Sequence, residues 1–252
     1  MSVDAMAHLD DPRIVDADAM VRRAYAAGIR HIINAGVDPT LKRPWPAIAP
    51  SSVRIHRAVG LHPMFIDEAR LGEQLTAVED SADAAVAIGE IGLDSREGAP
   101  RWELQLKACR VQLGIARESK RAVILHCVRA WDPLLGLLSE TSVRGIAHGF
   151  GGPVQVLPRL EQLGIIPSFG GAVSYSKRRR AHEAVRLATR FCLESDAPDH
   201  PPLGMTDSEP AAIVTTAQTV AELQERSIGE VLADSAACAK EVFRLPTAPN
   251  DA

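Results

Sequence analysis

The chain has 252 residues, of which 46% are hydrophobic, and its formal net charge is −4. This length suits one large α/β domain, because barrels of that class typically run to about 250 residues, and the hydrophobic share allows a sizeable core. The slightly acidic balance argues against a basic surface that wraps duplex nucleic acid. It still allows a phosphate-binding cleft, because bound divalent cations reverse the sign of the local charge.

Targeting and redox signals indicate a cytoplasmic protein. The N-terminal residues show neither a basic leader nor a long apolar run, so we expect no conventional secretion signal. No run approaches the roughly 18 apolar residues that a membrane span needs. The four cysteines lie far apart in apolar surroundings. We therefore expect reduced, buried thiols.

The apolar pattern alternates between strand-length and helix-length segments along almost the whole chain. Strands are predicted at residues 2–7, 31–36, 53–60, 84–91, 121–127, 143–148, 164–169 and 190–195. Helices are predicted at residues 16–28, 70–80, 101–118, 131–139, 153–163, 177–187, 209–225 and 227–243. Eight strands separated by helices predict a closed (β/α)8 barrel, the TIM barrel, with an open doubly wound sheet as the alternative. No linker or repeat divides residues 1–252, so we expect a single domain with a frayed tail at about 245–252.

Four of the predicted strands stop on a side chain that can bind a metal ion. Runs rich in Val and Ile, such as the one before His126, suit strands that are buried on both faces of a parallel sheet. A fifth, less apolar segment reaches His8. Because a barrel presents its catalytic rim at the carboxyl ends of its strands, we expect these side chains to lie together. The candidate ligands are His8, Glu90, His126, His148 and Asp196.

One Glu, three His and one Asp describe a hydrolytic centre with room for one or two divalent cations. Imidazoles suit Zn²⁺ and Mn²⁺, and carboxylates admit Mg²⁺. A rim carboxylate, here Asp196, can orient or deprotonate the attacking water. Taken singly, His126 could be a core histidine, Glu90 could pair with a buried Arg, and His148 could belong to a structural loop. Their joint placement favours the metal site.

Six short segments match, in chain order, the motifs of one known family. They are residues 3–10 (Val-Asp-Ala-Met-Ala-His-Leu-Asp), 58–63 (Ala-Val-Gly-Leu-His-Pro), 87–94 (Ala-Ile-Gly-Glu-Ile-Gly-Leu-Asp), 123–126 (Val-Ile-Leu-His), 147–150 (Ala-His-Gly-Phe) and 193–198 (Leu-Glu-Ser-Asp-Ala-Pro). The chain thus resembles the TatD family of metal-dependent hydrolases along nearly its whole length. The resemblance implies a TIM barrel and a deoxyribonuclease that cleaves phosphodiester bonds with metal-activated water.

One position departs from the family pattern. By the resemblance, the first cation is held by an N-terminal His-x-His pair, the Glu and the Asp, and the second by the same Glu and the two later His. Met6 occupies the position of the first His of that pair. A thioether is a soft donor that suits Cu(I) far better than Mg²⁺, Mn²⁺ or Zn²⁺, so we expect the first site to be weakened. The second site is complete as Glu90, His126 and His148.

Further candidates lie near the predicted rim. The resemblance makes His62 a contact to substrate phosphate, with a structural turn residue as the alternative. Arg129 follows closely on the strand end at His126 and is taken as a second substrate contact. Trp131 either stacks on a base or roofs the barrel. The basic run at 177–180 either begins a solvated helix or meets phosphates.

The leading interpretation is a metal-dependent nuclease that acts on DNA at single-stranded or frayed ends. The acidic chain and the lack of a duplex-binding module favour ends over tight duplex binding. A second interpretation is a hydrolase of a small ester, amide or phosphoester, because related barrels host many hydrolyses. A third is a metal-poor pseudoenzyme that serves as a binding or assembly subunit, and Met6 alone favours it.

Overall fold

Eight parallel strands form the framework of the protein. In the computed structural model, which describes residues 2–41, 43 and 53–246, the strands pair in chain order and form a nearly closed barrel. They are β1 (Ser2–Ala7), β2 (Ile29–Ala35), β3 (Arg54–Val59), β4 (Ala87–Asp94), β5 (Ala122–Val128), β6 (Gly145–Ala147), β7 (Ile165–Phe169) and β8 (Cys192–Leu193). The prediction of a (β/α)8 barrel is confirmed.

The helices of the described residues begin and end within four residues of their predicted bounds. They are α1 (Ala17–Ala26), α2 (Leu71–Ser81), α3 (Trp102–Glu118), α4 (Trp131–Ser139), α5 (Leu157–Gln162), α6 (Arg179–Leu187), α7 (Ile213–Gln224) and α8 (Ile228–Phe243). None of these helices is both long and apolar enough to cross a membrane. The four cysteines are free thiols, and Cys109, Cys192 and Cys238 are buried as the sequence predicts, whereas Cys127 is only partly buried.

Residue 245, where the predicted tail begins, packs on the barrel. Leu245 is buried and belongs to an apolar cluster with side chains of α8, because the chain stays packed on the barrel for two residues beyond that helix. The rest of the predicted tail, residues 247–252, lies outside the described part of the chain. The assignment of the whole chain to a single domain stays a prediction.

Alternate side chains of the strands enter two apolar clusters. The outer cluster lies between strands and helices and includes Val123 and Leu125 of β5. The inner cluster includes Ile124 of the same strand together with Ile33 of β2 and Ile166 of β7. Since side chains two residues apart share a face of a strand, the side chain that follows Ile124 by two positions also points into the barrel. That side chain is His126.

Strand β4 departs from regular pairing where it carries Glu90. Ile88 pairs with Val123, but the next pair is Ile91 with Leu125, so β4 holds one extra residue between them. The strand then continues to Asp94, beyond the predicted end at residue 91. Gly92 makes this possible because its φ is +149° and a Cβ there would lie 1.9 Å from the carbonyl oxygen of His126. The bulge and the close approach to β5 place Glu90 inside the barrel.

The seam between β8 and β1 is closed by a buried carboxylate. Oδ1 of Asp4 accepts the backbone N–H of Ser195 at 2.9 Å and that of Met6 at 3.2 Å. Its Oδ2 accepts the hydroxyl of Ser195 at 2.6 Å. Because β8 has only two residues, these bonds replace part of the missing strand pairing.

Two backbone bonds continue the seam towards the carboxyl end of the barrel. The amide of Asp196 donates to the carbonyl of Met6 at 3.0 Å, and the amide of His8 donates to the carbonyl of Ala197 at 2.8 Å. Asp196 has a left-handed backbone with φ +52°. The seam therefore sets Asp196 and His8 side by side.

We expect Asp4→Ala to destabilise the fold by roughly 2–5 kcal/mol, because it leaves buried donors without an acceptor and each costs about 1–3 kcal/mol. Asp4→Asn keeps an amide oxygen for the two backbone N–H groups, so its cost is expected to stay below about 1.5 kcal/mol. Urea denaturation at pH 6 measures both variants. Equal losses would contradict the acceptor role of Asp4.

The same carboxyl gives a pH signature. Burial raises the pKa of Asp4 to about 8, so the fold favours the neutral acid. Its contribution to stability is complete below the unfolded pKa of about 3.9 and is lost as the pH rises through about 8. We expect the native protein to lose more stability than Asp4→Asn over this window, and parallel stability curves would refute the assignment.

Candidate metal centre

Glu90 lies at the centre of a group of imidazoles at the carboxyl end of the barrel. The residue is only 2% exposed. Its Oε1 lies 2.8 Å from Nδ1 of His126 and 3.0 Å from Nε2 of His148. Its Oε2 lies 3.4 Å from Nε2 of His8. Side chains from β5 and from the residues directly after β1 and β6 therefore meet at one carboxylate.

Asp196 completes the group on the side of His8. Its Oδ1 lies 3.7 Å from Nε2 of His8, whose Nδ1 is 2.8 Å from the carbonyl oxygen of Ala35. A carbonyl accepts only, so Nδ1 of His8 carries a proton and Nε2 is the nitrogen directed at the carboxylates. The structure brings together all the predicted ligands, and their assignment as ligands is taken up below as a proposal.

Two further carboxylates contact the group from behind. Nε2 of His126 lies 2.9 Å from Oδ2 of Asp94, and Nδ1 of His148 lies 3.2 Å from Oε1 of Glu194. Both carboxylates are fully buried. Sequence reasoning assigned them no role, although Asp94 closes the matched segment 87–94 and Glu194 lies in the segment 193–198. A carboxylate inside each of these motifs was the signal that could have found them.

The charges of the group explain its shifted pKa values. Burial by itself raises the pKa of Glu90, but the charge of His148 and hydrogen bonds from His126 and His148 hold it well below its usual range. Burial lowers the pKa of His148, and the charges of Glu90, Glu194 and Asp196 bring it well above its usual value. Without a cation, His148 is therefore held as an imidazolium ion beside an ionised Glu90.

His8 and Asp196 shift in the same sense. Burial lowers the pKa of His8, but Glu90 and Asp196 together raise it to about 9. Burial raises the pKa of Asp196 to about 6, against the opposing charges of His148 and His8. A carboxyl group with this pKa can accept a proton near neutral pH and release it again.

His62 approaches Glu90 but presents a proton to it. Its Nε2 lies 3.5 Å from Oε1 of Glu90, and ligand atoms of His62, Glu90 and His126 all lie within 4.8 Å of one another. However, Nδ1 of His62 accepts the backbone N–H of Met64 at 3.1 Å. Burial lowers the pKa of His62, which favours the neutral ring, so its single proton is on Nε2. This geometry makes His62 a hydrogen-bond donor rather than a metal ligand.

The remaining candidates lie around the rim without reaching Glu90. Arg129 is exposed just beyond the end of β5 and has φ +52°. Trp131 packs on Phe150 with ring centroids 5.1 Å apart, and its stacking on a base stays a prediction. Residues 177–180 are exposed at the start of α6, and their contact with phosphate stays a prediction.

Met6 supplies no nitrogen to the centre. The side chain is fully buried and belongs to the inner apolar cluster with Ile33 and Ile124. The pairing of β1 with β2 shifts between Asp4 and Ala7, so simple alternation along the strand does not hold through this position. The weakening of one cation site by Met6 stays a prediction.

The donor set fits a divalent cation. Nitrogens of three imidazoles are aimed at carboxylate oxygens, and each imidazole holds its other nitrogen against a hydrogen-bond acceptor, as metal-binding histidines do in proteins. The mixture of nitrogen and carboxylate oxygen suits Zn²⁺ or Mn²⁺ and admits Mg²⁺. A cation among these groups would replace the protons that balance the charge of Glu90 in its absence.

Comparison with known proteins agrees with the barrel fold. The family model described as TatD related DNase matches residues 3–244. The metal-dependent hydrolase YabD of Bacillus subtilis is 30% identical over 97% of this chain and 100% of its own length. A protein of Erwinia billingiae named 3'-5' ssDNA/RNA exonuclease TatD is 29% identical over 92% of this chain and 94% of its own.

A solved structure gives the same result. The crystal structure of YjjV, a TatD homologue from Escherichia coli K12, superposes with a TM-score of 0.84 at 25% identity and covers 97% of this chain and 98% of that one. The fold and these relatives identify a metal-dependent hydrolase. The chain belongs to the family of TatD-related DNases.

We expect metal uptake to release protons. Because the pKa of His8 is raised to about 9, this ring is protonated at pH 7 without metal, and a ligand nitrogen must lose its proton. Affinity should therefore rise as the pH increases from about 7 towards 9. Calorimetric titration with Mn²⁺ at pH 7 in buffers of different ionisation enthalpy measures the release, and a buffer-independent heat would contradict it.

We expect Met6→His to raise metal stoichiometry towards two per chain and to increase turnover. An imidazole in the apolar interior costs about 1–3 kcal/mol when it has no partner, so the variant should be less stable without metal and regain stability with it. Equilibrium dialysis and thermal unfolding with and without Mn²⁺ test this. Two equally tight sites in the unmutated protein would show that another group replaces the lost imidazole.

Proposed function

We propose that this protein is a nuclease that hydrolyses phosphodiester bonds of single-stranded DNA, or of frayed DNA ends, with one or two divalent cations. The observation that carries the proposal is the buried Glu90 with the imidazoles of His8, His126 and His148 directed at it and Asp196 beside them. The relatives named 3'-5' ssDNA/RNA exonuclease support the class of substrate. RNA ends are the second substrate to test for the same reason.

The ligands in this proposal are His8, Glu90, His126, His148 and Asp196. A bound divalent cation would lower the pKa of water from about 15.7 towards about 7 and offset the charge that develops on the phosphate. The chain supplies a proton acceptor, because the carboxylate of Asp196 lies beside His8 at the carboxyl end of the barrel and can accept the proton of the attacking water. Left-handed backbone at Asp196 and its bond to Met6 hold the carboxylate in place.

His62 and Arg129 are proposed to bind the phosphate. The Nε2–H group of His62 points towards Glu90. It can instead donate a hydrogen bond to an oxygen of a phosphate group that binds in the site. Arg129 is exposed beyond the end of β5 and offers a charged donor from outside the barrel. Both would fix the position of the scissile bond relative to Asp196.

We expect Glu90→Gln and Asp196→Asn each to lower hydrolysis of a 5'-labelled single-stranded oligonucleotide by about 10²–10⁴-fold, the loss that usually follows removal of an essential acid–base group. Asp199→Asn is the matched control, because Asp199 is a partly exposed neighbour that pairs with Arg13 instead. Full activity of either variant at unchanged metal content would overturn the assigned roles. Activity on small esters but not on oligonucleotides would favour the small-molecule interpretation.

We expect His62→Ala to lower kcat/KM by about 10–100-fold, because a hydrogen bond to a charged group contributes about 1.5–3 kcal/mol. Metal content should stay unchanged, since the proton on Nε2 excludes ligation by that nitrogen. Metal analysis of the purified variant separates the two roles. Loss of bound metal would make His62 a ligand together with Glu90 and His126 and would refute its role as a donor.

A further inference from the structure

Two proposed ligands direct opposite ring nitrogens at the same oxygen. His126 places Nδ1 at 2.8 Å from Oε1 of Glu90, whereas His148 places Nε2 at 3.0 Å from that oxygen. The other nitrogen of each ring faces a buried carboxylate. Asp94 lies behind His126 and Glu194 lies behind His148.

A neutral imidazole has one proton and one free lone pair, and only the lone pair can bind a cation. An ionised carboxylate accepts hydrogen bonds and donates none, so it retains the proton on the nitrogen that faces it. The opposite nitrogen is then left free. Asp94 therefore exposes the lone pair of Nδ1 on His126, and Glu194 exposes that of Nε2 on His148.

We propose that Asp94 and Glu194 are positioning residues that determine which ring nitrogen of His126 and of His148 binds the cation. The inference rests on the proposed ligation by these two histidines and does not depend on which ester is hydrolysed. Each carboxylate acts through the histidine that it contacts.

Asp94 is itself held rigidly. Its Oδ1 accepts the backbone N–H of Arg96 at 3.0 Å, and its Oδ2 accepts Nε–H of the same residue at 2.6 Å. Gln105 donates to the carbonyl of Asp94 at 3.0 Å and accepts its amide at 2.8 Å. Both carboxylate oxygens thus face donors. An amide in place of this carboxylate would have to turn its NH₂ group towards one of them.

Glu194 is held differently. Its Oε1 accepts the backbone N–H of Gly149 at 2.6 Å as well as the proton of His148. Its Oε2 is buried and has no hydrogen-bond partner among the described residues. A glutamine can keep its oxygen at the position of Oε1 and place its NH₂ group where no donor lies. Removal of the negative charge is therefore separable from removal of the acceptor at this position.

This difference predicts an asymmetric response of metal affinity. Asp94→Asn and Glu194→Ala should weaken Cd²⁺ or Mn²⁺ binding by about 10–100-fold, the usual effect of losing the partner of a metal-bound histidine. Glu194→Gln should weaken it by no more than about threefold, because the acceptor is retained. A role of charge alone would make Asp94→Asn and Glu194→Gln equivalent, and that result would overturn the inference.

The direct test is NMR of the full-length protein loaded with ¹¹³Cd and labelled with ¹⁵N in its histidines. We expect coupling of ¹¹³Cd to Nδ1 of His126 and to Nε2 of His148. Asp94→Asn should remove or switch the coupling of His126 only, and Glu194→Ala that of His148 only. Asp38→Asn is the control, because this buried carboxylate hydrogen-bonds Gln74 rather than a histidine, and both couplings should persist.

The outcomes separate the two proposals. Couplings through the expected nitrogens that survive both substitutions would refute the positioning role while leaving the ligands intact. No coupling to either histidine in the unmutated protein would refute the ligand set and the inference with it. Expected couplings together with no hydrolysis of oligonucleotides would reject the nuclease proposal and uphold the inference. If Glu194→Ala does not fold, the metal affinities of Asp94→Asn and Glu194→Gln test the inference.

Discussion

The structure depends on keeping one carboxylate charged in the interior of a barrel. Glu90 is almost completely buried, and an isolated charge there would cost many kcal/mol. The surrounding imidazoles offset that cost, and they come from β5 and from residues that follow β1, β3 and β6. The barrel brings these strand ends together and so stabilises the charge of Glu90. A divalent cation is a natural counter-charge for the same cluster.

Much of this arrangement could be predicted from the sequence because it repeats a local pattern. Short apolar runs define the strands, and side chains that can bind a metal ion follow several of them, so the convergence of His126 and His148 on Glu90 could be predicted. Features that depend on contacts between two distant segments could not be predicted from the sequence. The extra residue in β4 follows from its pairing with β5, and the contacts of Asp94 and Glu194 follow from which strands are neighbours. No spacing within one segment encodes them.

Met6 meets the requirements of core packing but not those of metal binding. As an apolar side chain in the inner cluster it serves the core well, and the strand around it keeps its hydrogen bonds to the seam. As a donor it contributes little, because a thioether binds hard divalent cations poorly. The group around Glu90, His126 and His148 does not involve this position. Core packing and metal binding therefore require different side chains at this position, and Met6 suits the packing.

The seam has a consequence for how the protein opens. Among the described residues, each strand from β1 to β8 pairs with the next, whereas no strand pairing joins β8 to β1 and this seam relies on the bonds of Asp4, Ser195 and the neighbouring backbone. Local opening begins where the fewest bonds hold, so a fluctuation at the seam can separate β1 from β8 while the other strands remain paired. Such an opening moves His8 and Asp196 apart and leaves Glu90, His126 and His148 in place. The part of the cluster that holds Asp196, the proposed proton acceptor, is therefore the part that local opening at the seam affects first.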